Sequence, residues 1–427
     1  MLTALIAVFI IAYAAIALEH PLKINKSASA LVGAGLLWTI YALFEGDSHI
    51  VSEQLGESSM GTAGIVFFLM GAMTIVEVVD AHNGFEIIAR RIRTGKLSSL
   101  MWLVGFVTFI LSAILDNLTT TIVMISVMRN LLAKHEDRMF FARVIVIAAN
   151  SGGAWSPMGD VTTTMLWIGG QITSLAIIKS VILPSLVSMI VPLGITAYAL
   201  RGRNVEAPST GADDHLGLRT TNFERNLMFF TGLAILIAVP AFKAVTHLPA
   251  FMGMLFGLGI LWMLGDLMHR HKEDQYKEHL TLARALSRID MSAIVFFIGI
   301  LLAVATLEYT HILTALAQWL DQTVERQDVI VLLIGIVSAI VDNVPLVAAL
   351  MGMYSLTHYP PDHFLWEFLA YCAGTGGSIL IIGSAAGVAA MALEKIHFFW
   401  YVKRISGLAL IGYFAGAGIY LFQALSS

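Results

Sequence analysis

Ten apolar stretches, each 17 residues or longer, run along the chain with polar connections between them. They cover 2–18, 28–44, 62–80, 142–168, 172–200, 227–246, 249–268, 291–308, 364–392 and 405–424. About 20 apolar residues in a helix cross the ~30 Å hydrocarbon layer of a bilayer. The pattern therefore specifies an all-α polytopic membrane protein. Composition agrees: 58% of residues are hydrophobic and 13% charged, where a soluble protein carries about 25% charged residues. The single Cys372 rules out an internal disulfide framework and a cysteine metal cluster. The net charge of −4 and the lack of a basic arm give no sign of a nucleic-acid partner. Residues 2–18 lack a basic n-region and a small-x-small cleavage site, so they read as a retained first helix.

Two further apolar stretches, 98–132 and 328–357, are interrupted by the same pair. One reads ILDNLTTT at 114–121 and the other IVDNVPLV at 340–347. A bare carboxylate at such depth costs several kcal/mol unless it is paired. Each stretch is either one long helix or two short ones meeting at a tip. The positive-inside rule discriminates. With Lys23 and Lys26 cytoplasmic and both stretches drawn as re-entrant hairpins, nearly all basic residues share one side. Of 25 Lys and Arg, only Lys179, Lys243 and Arg326 fall elsewhere. Drawing either stretch as a single crossing moves a basic cluster outside. The expected topology is ten crossings plus two hairpins, with both termini outside and outer loops at 45–61 and 355–363.

The two halves repeat one another. GIVFFLMGA (64–72) matches AIVFFIGIL (293–301), and SAILDN (112–117) matches SAIVDN (338–343). NSGGAWSPMGD (150–160) matches GTGGSILIIGS (374–384), and His82 aligns with His311. In the threading above the first hairpin enters from the cytoplasm and the second from outside. The halves are then inverted-topology repeats, whose sites lie at the repeat interface. The expected division is 1–60 as N-terminal scaffold helices, 61–200 as repeat 1, 201–226 as a cytoplasmic linker, and 227–268 as further scaffold helices. A second cytoplasmic linker, 269–290, leads to repeat 2 at 291–427. Repeat 1 holds the hairpin 98–132 and a broken helix, 142–168; repeat 2 holds the hairpin 328–357 and a broken helix, 364–392. Segments 83–93 and 309–321 read as amphipathic linking helices.

Helix breaks at membrane depth free backbone groups that only protein or a wet cavity can satisfy. Around the tips the sequence offers Asp116, Asn117, Asp342 and Asn343, with hydroxyls at Thr119, Thr120, Thr121, Ser112 and Ser338. Such an all-oxygen set suits a hard cation or protons. The plainer alternative is that each Asp-Asn pair only caps its tip. The broken spans add glycines, Pro157, Asp160, Thr162 and Thr163. Asp160 aligns with Ser384, so a third carboxylate exists on one side only. Close packing through small residues explains the glycines but not Asp160. Glu77 and Asp80 sit near the end of their span, either at the interface or on a proton path. His82 and His311 read most simply as interfacial.

These motifs carry a family resemblance over roughly 60–424. SAILDNLTTT, NSGGAWSPMGDVTTTMLWIGG, SAIVDNVP and GTGGSILIIGSAAG resemble sodium/proton antiporters of the NhaD type. Those belong to the ion transporter superfamily, with the arsenite permeases and the dicarboxylate/sodium symporters. The resemblance implies hairpin-bearing repeats, a dimer and a multi-pass inner-membrane location. It implies an ion-translocating centre of Asp116, Asn117, Asp160, Thr162, Thr163, Asp342 and Asn343. Na⁺ is expected at Asp116, Asn117, Asp342 and Asn343, with polar support from Ser112, Thr119, Asn150, Ser338, Ser378 and Ser384. Carboxylate carriers of the superfamily have Ser-Asn-Thr at the tips, and Asp-Asn here argues for a cation. The expected activity is exchange of cytoplasmic Na⁺, or Li⁺, for external H⁺ in pH homeostasis. Both ions compete for carboxylates whose protonated form burial favours. No cofactor and no nucleotide is expected, since no P-loop occurs. The rivals are an arsenite or organic-anion carrier, a channel, and an intramembrane aspartyl protease built on two Asp residues.

Overall fold

The computed structural model is helical apart from one isolated bridge, Lys96 to Asn204, among the described residues. It describes all residues but Arg93, 207–220, 271–279, Val341 and Ser427. The central parts of the expected linkers 201–226 and 269–290 lie outside the described residues, as do Arg93 and Arg219 of the basic count. The start of the first linker is pinned, with Leu97 N donating to Arg203 O at 3.0 Å and Ala133 N to Glu206 O at 3.0 Å.

The first group of helices is α1 (Leu2–Ala17), α2 (Lys26–Glu45), α3 (Ser48–Ala81), α4 (Leu97–Leu115), α5 (Asn117–Leu131), α6 (His135–Ala154), α7 (Val161–Ile168) and α8 (Ser174–Ala199). Then come α9 (Asn222–Thr246), α10 (Ala250–His269), α11 (Met291–Tyr309), α12 (Ile312–Val324), α13 (Gln327–Ser338), α14 (Asn343–Met353), α15 (Phe364–Gly376), α16 (Ala385–Glu394) and α17 (Gly407–Ser426). Eight described helical runs are long and apolar enough to cross a membrane: α2, α3, α4, α8, α9, α10, α11 and Phe398–Ser426.

Several boundaries differ from expectation. The outer loop expected at 45–61 is mostly helix. Gly46, with φ 80°, ends α2, and Asp47 restarts the chain by accepting from His49 N at 2.9 Å. No proline then interrupts 34 residues, a rod of about 51 Å at 1.5 Å per residue. The linking helix expected at 83–93 is a single turn, Glu86–Ala89. Asn83, at φ 56°, breaks the path after α3. Its counterpart α12 does form, three residues later than expected. His82 is not interfacial: it is buried, its ring stacked on His269 with centroids 5.1 Å apart. The end of α10 covers the end of α3 there. The first arm of the expected hairpin 98–132, α4, has 19 residues and is itself long enough to cross, whereas α13 has 12.

Packing is alike in the two halves. Helix α4 lies along α6, and α13 lies along α15. Phe109 O comes so close to Gly152 that a Cβ would collide with it, and Gly335 O meets Gly376 in the same way. One step on, a Cβ on Gly159 would stand 2.6 Å from Ser112 O, and one on Gly383 would stand 2.6 Å from Ala339 O. Elsewhere α2 is bound to α11 through Ser27 Oγ to Ser292 O, 2.6 Å, and Trp38 Nε1 to Leu302 O, 2.9 Å.

The two halves are tied at the end of α16. Buried Glu394 accepts from Arg129 Nε at 2.7 Å and from Arg138 Nε at 3.3 Å, and His135 Nδ1 lies 3.3 Å away. Arg129 also donates to Leu393 O. Removing a buried carboxylate that holds two guanidinium groups is destabilising. Glu394→Ala should lower stability by about 1–3 kcal/mol, since both arginines retain some access to water. Thermal unfolding of detergent-solubilised protein checks this, and Glu394→Gln should lose less.

Candidate ion-binding centre

Four helices begin inside the protein, and each begins on a polar side chain. A helix start leaves orphan N–H groups, which an acidic or hydroxyl side chain can accept from. Asp116 Oδ1 accepts from Thr119 N at 2.7 Å, starting α5. Asp160 Oδ1 accepts from Thr162 N at 3.2 Å, starting α7. Asp342 Oδ1 accepts from Val344 N at 3.3 Å, starting α14. Ser384 Oγ accepts from Gly387 N at 3.2 Å, starting α16. The positive end of each helix dipole also favours the three carboxylates. The plainer reading of Asp-Asn as a cap is therefore realised at both tips. The cap takes one oxygen of each carboxylate, and the second oxygen has a different partner in each.

What those second oxygens meet differs. Asp160 Oδ2 is the meeting point: Asn117 Nδ2 lies 3.2 Å from it and Asn343 Nδ2 3.5 Å. Asn117 Nδ2 also donates to Asn150 Oδ1 at 3.0 Å. Asn150 Nδ2 in turn donates to Ser378 Oγ and Ser384 Oγ, both at 2.9 Å. One connected set thus joins Asn117, Asn150 and Asp160 to Asn343, Ser378 and Ser384 across the two halves, every member buried. Ser112 Oγ, donating to Ala149 O at 2.6 Å, and Ser338 Oγ, donating to Ala373 O at 3.3 Å, brace the flanking helices.

The two tip carboxylates stand at the rim of this set. Asp116 and Asp342 are half-buried where Asp160 is buried. Asp116 keeps its second oxygen on Thr119 Oγ1 at 2.8 Å. Its backbone is held at φ 96°, ψ 158°, a region essentially reserved for glycine and a store of strain. Neither Asp116 nor Asp342 hydrogen-bonds to the tip asparagines among the described residues. The asparagines converge on Asp160 instead. The hydroxyls of Thr120, Thr121 and Thr163 are buried with no hydrogen-bond partner among the described residues. Buried hydroxyls left this way are costly, and oxygen-rich space beside helix starts is where a cation gains ligands.

Sequence reasoning missed Lys26. Its Nζ lies 2.6 Å from Asp342 Oδ2 and 4.5 Å from the centre of the Phe296 ring. In the sequence it is only one of the basic residues flanking a span. Nothing local announces a partner 316 residues away.

With the geometry in hand, residues 7–374 match the CitMHS family, described as citrate transporter. The chain belongs to that family. It is a transporter, not an enzyme, which removes the protease rival. Sodium/proton antiporter 1 of Arabidopsis thaliana is 48% identical over 98% of this chain and 72% of its own length. Sodium/proton antiporter 2 of the same plant is 45% identical over 97% of both. The Na(+)/H(+) antiporter NhaD of Alkalimonas amylolytica is 30% identical over 98% of this chain and 89% of its own. The resemblance to NhaD-type antiporters therefore holds along the full chain. The structure also superposes on the YdaH transporter of Alcanivorax borkumensis, whose topology was described as unusual, with a TM-score of 0.58 over 89% of both chains at 12% identity.

Ser384→Ala removes both a helix cap and an acceptor of Asn150. It should cost about 1–2 kcal/mol of stability, read as a lower unfolding temperature in detergent. Ser384→Thr, which keeps the hydroxyl, should lose less.

Proposed function

We propose that this chain exchanges cytoplasmic Na⁺, and Li⁺, for external H⁺ by alternating access. The observation that carries the reading is the convergence of Asn117 and Asn343, one from each half, on Asp160 Oδ2. Asp116 and Asp342 are close enough to act electrostatically on Asp160, and the ammonium of Lys26 is bound by Asp342. Fixed negative charge of this kind suits a cation and repels an anion. The names of the similar antiporters support the same activity.

The asparagine Nδ2 groups donate to Asp160. Rotating each amide presents its Oδ1 instead, adding two neutral oxygen ligands to the carboxylate. The unpartnered hydroxyls of Thr120, Thr121 and Thr163 are further candidates. A proton arriving on Asp160 removes the charge that holds Na⁺, and the site then no longer attracts the cation. Na⁺ and H⁺ thus exclude one another at one carboxylate, which is the requirement for exchange.

In this reading 61–200 and 291–427 are inverted repeats, and 98–132 and 328–357 re-enter the membrane. The paired glycine crossings and the four internal helix starts support the repeat. The remaining helices, within 1–60 and 227–268, form the scaffold past which the broken helices move. The 201–226 and 269–290 linkers are cytoplasmic, both termini lie outside, and the protein is a homodimer in the cell's inner membrane. A second reading, citrate or another organic anion as cargo, has the family's description in its favour and the three carboxylates against it.

The test uses purified protein in liposomes loaded acid-inside. Na⁺, Li⁺, K⁺ or citrate is added outside, and a trapped dye reports internal pH. Na⁺ should collapse the gradient and citrate should not. Asp160→Asn should abolish the response while leaving thermal stability close to wild type, because asparagine caps a helix as well as aspartate does. A response to citrate alone overturns the antiport reading.

A further inference from the structure

The two tips carry the same Asp-Asn pair but satisfy it differently. In the first, both carboxylate oxygens of Asp116 are held by Thr119, through its amide at 2.7 Å and its hydroxyl at 2.8 Å. With Asp116 aligned on Asp342, Thr119 falls on Pro345. Proline has neither an N–H nor a hydroxyl. Asp342 therefore keeps one oxygen for Val344 N, at 3.3 Å, and its other oxygen has lost the local donor. That oxygen is taken by the Lys26 ammonium at 2.6 Å. Lys26 is the first residue of α2, an element outside both broken-helix pairs.

The pair is neither fully buried nor free. The side chains retain 31% and 20% of their exposure. The Phe296 ring face adds a cation–π contact. Other titratable groups around the pair are Glu19, whose Oε1 accepts from Lys26 N at 3.2 Å, together with Asp290 and Tyr13. None of these makes a hydrogen bond to Asp342 among the described residues.

We propose that the Lys26 ammonium competes with the transported cation for Asp342, a rim carboxylate close enough to act on the cation held at Asp160. It neutralises Asp342 while no Na⁺ is bound, and it is displaced when Na⁺ arrives. Lys26 then sets the apparent affinity for Na⁺ and supplies the counter-charge for the empty site's return. The inference rests on the cation-exchange reading above and adds a residue to it.

The experiment compares wild type, Lys26→Gln, Lys26→Arg, Asp342→Asn and the Lys26→Gln/Asp342→Asn double variant in the same liposome assay. Lys26→Gln should lower the apparent KM for Na⁺ about three- to tenfold, the scale of a part-exposed charge pair. It should also lower kcat, because Asp342 then returns without its counter-charge. Lys26→Arg, still cationic, should keep KM within about twofold of wild type. In the Asp342→Asn background the Lys26 substitution should leave KM unchanged, as a double-mutant cycle requires. As a second readout, Na⁺ protection against thermal unfolding should reach its midpoint at lower Na⁺ in Lys26→Gln; a purely structural role lowers the unfolding temperature without moving that midpoint. An unchanged or raised KM in Lys26→Gln, with wild type active, overturns the competitor role and leaves the exchange reading standing. A wild type that moves no protons when Na⁺ is added overturns both.

Discussion

A helix interrupted inside an apolar interior leaves N–H groups that only protein can satisfy. That constraint organises the centre of this molecule. Four helices restart there, and the side chains that cap them, Asp116, Asp160, Asp342 and Ser384, are also the polar groups to which the proposed exchange assigns the ion. Structure and chemistry share atoms: one oxygen of Asp160 holds Thr162 N and the other gathers two asparagines. A carboxylate fixed by a cap has its position set before any ion arrives, so little reorganisation opposes binding.

The two halves supply the same framework and different chemistry. Serine braces, glycine crossings and asparagine tips recur in each. The departures from symmetry carry the polarity of the centre. Asp160 faces Ser384, which places the buried carboxylate in the first half. Thr119 aligns with Pro345, which leaves the second half's tip open to a donor from another helix. An exactly symmetric centre would hold two equivalent acids or none; this one holds a single buried acid with two rim acids in different surroundings.

Much of this was legible in the residues. Apolar block lengths gave the helical membrane class, and the Asp-Asn pairs and glycine runs marked all four breaks to within a few residues. Asn117, Asn343, Asp160 and Ser384 stood out in the alignment of the halves, whereas Asn150 and Ser378 entered only through the family resemblance. The rest depended on contacts the linear order does not carry. Lys26 meets Asp342 only because α2 packs on α11, beside which α14 lies. His82 is buried because α10 ends over it. The turn at 83–93 fails as a helix because Asn83 takes a left-handed conformation, which a pattern of apolar spacing does not register. The 34-residue α3 was cut short on paper because its first turns are polar, although no residue there stops a helix.

The glycine crossings have an evolutionary consequence. Gly152 and Gly159 bring backbone against the backbone of Phe109 and Ser112, and Gly376 and Gly383 against that of Gly335 and Ala339, so no side chain spaces these crossings. Such a site cannot be widened by one substitution at a time; a larger residue at any of the four forces whole helices apart. Changes that leave these crossings intact fall more easily at the capping positions, where aspartate, asparagine and serine can each accept from a helix start.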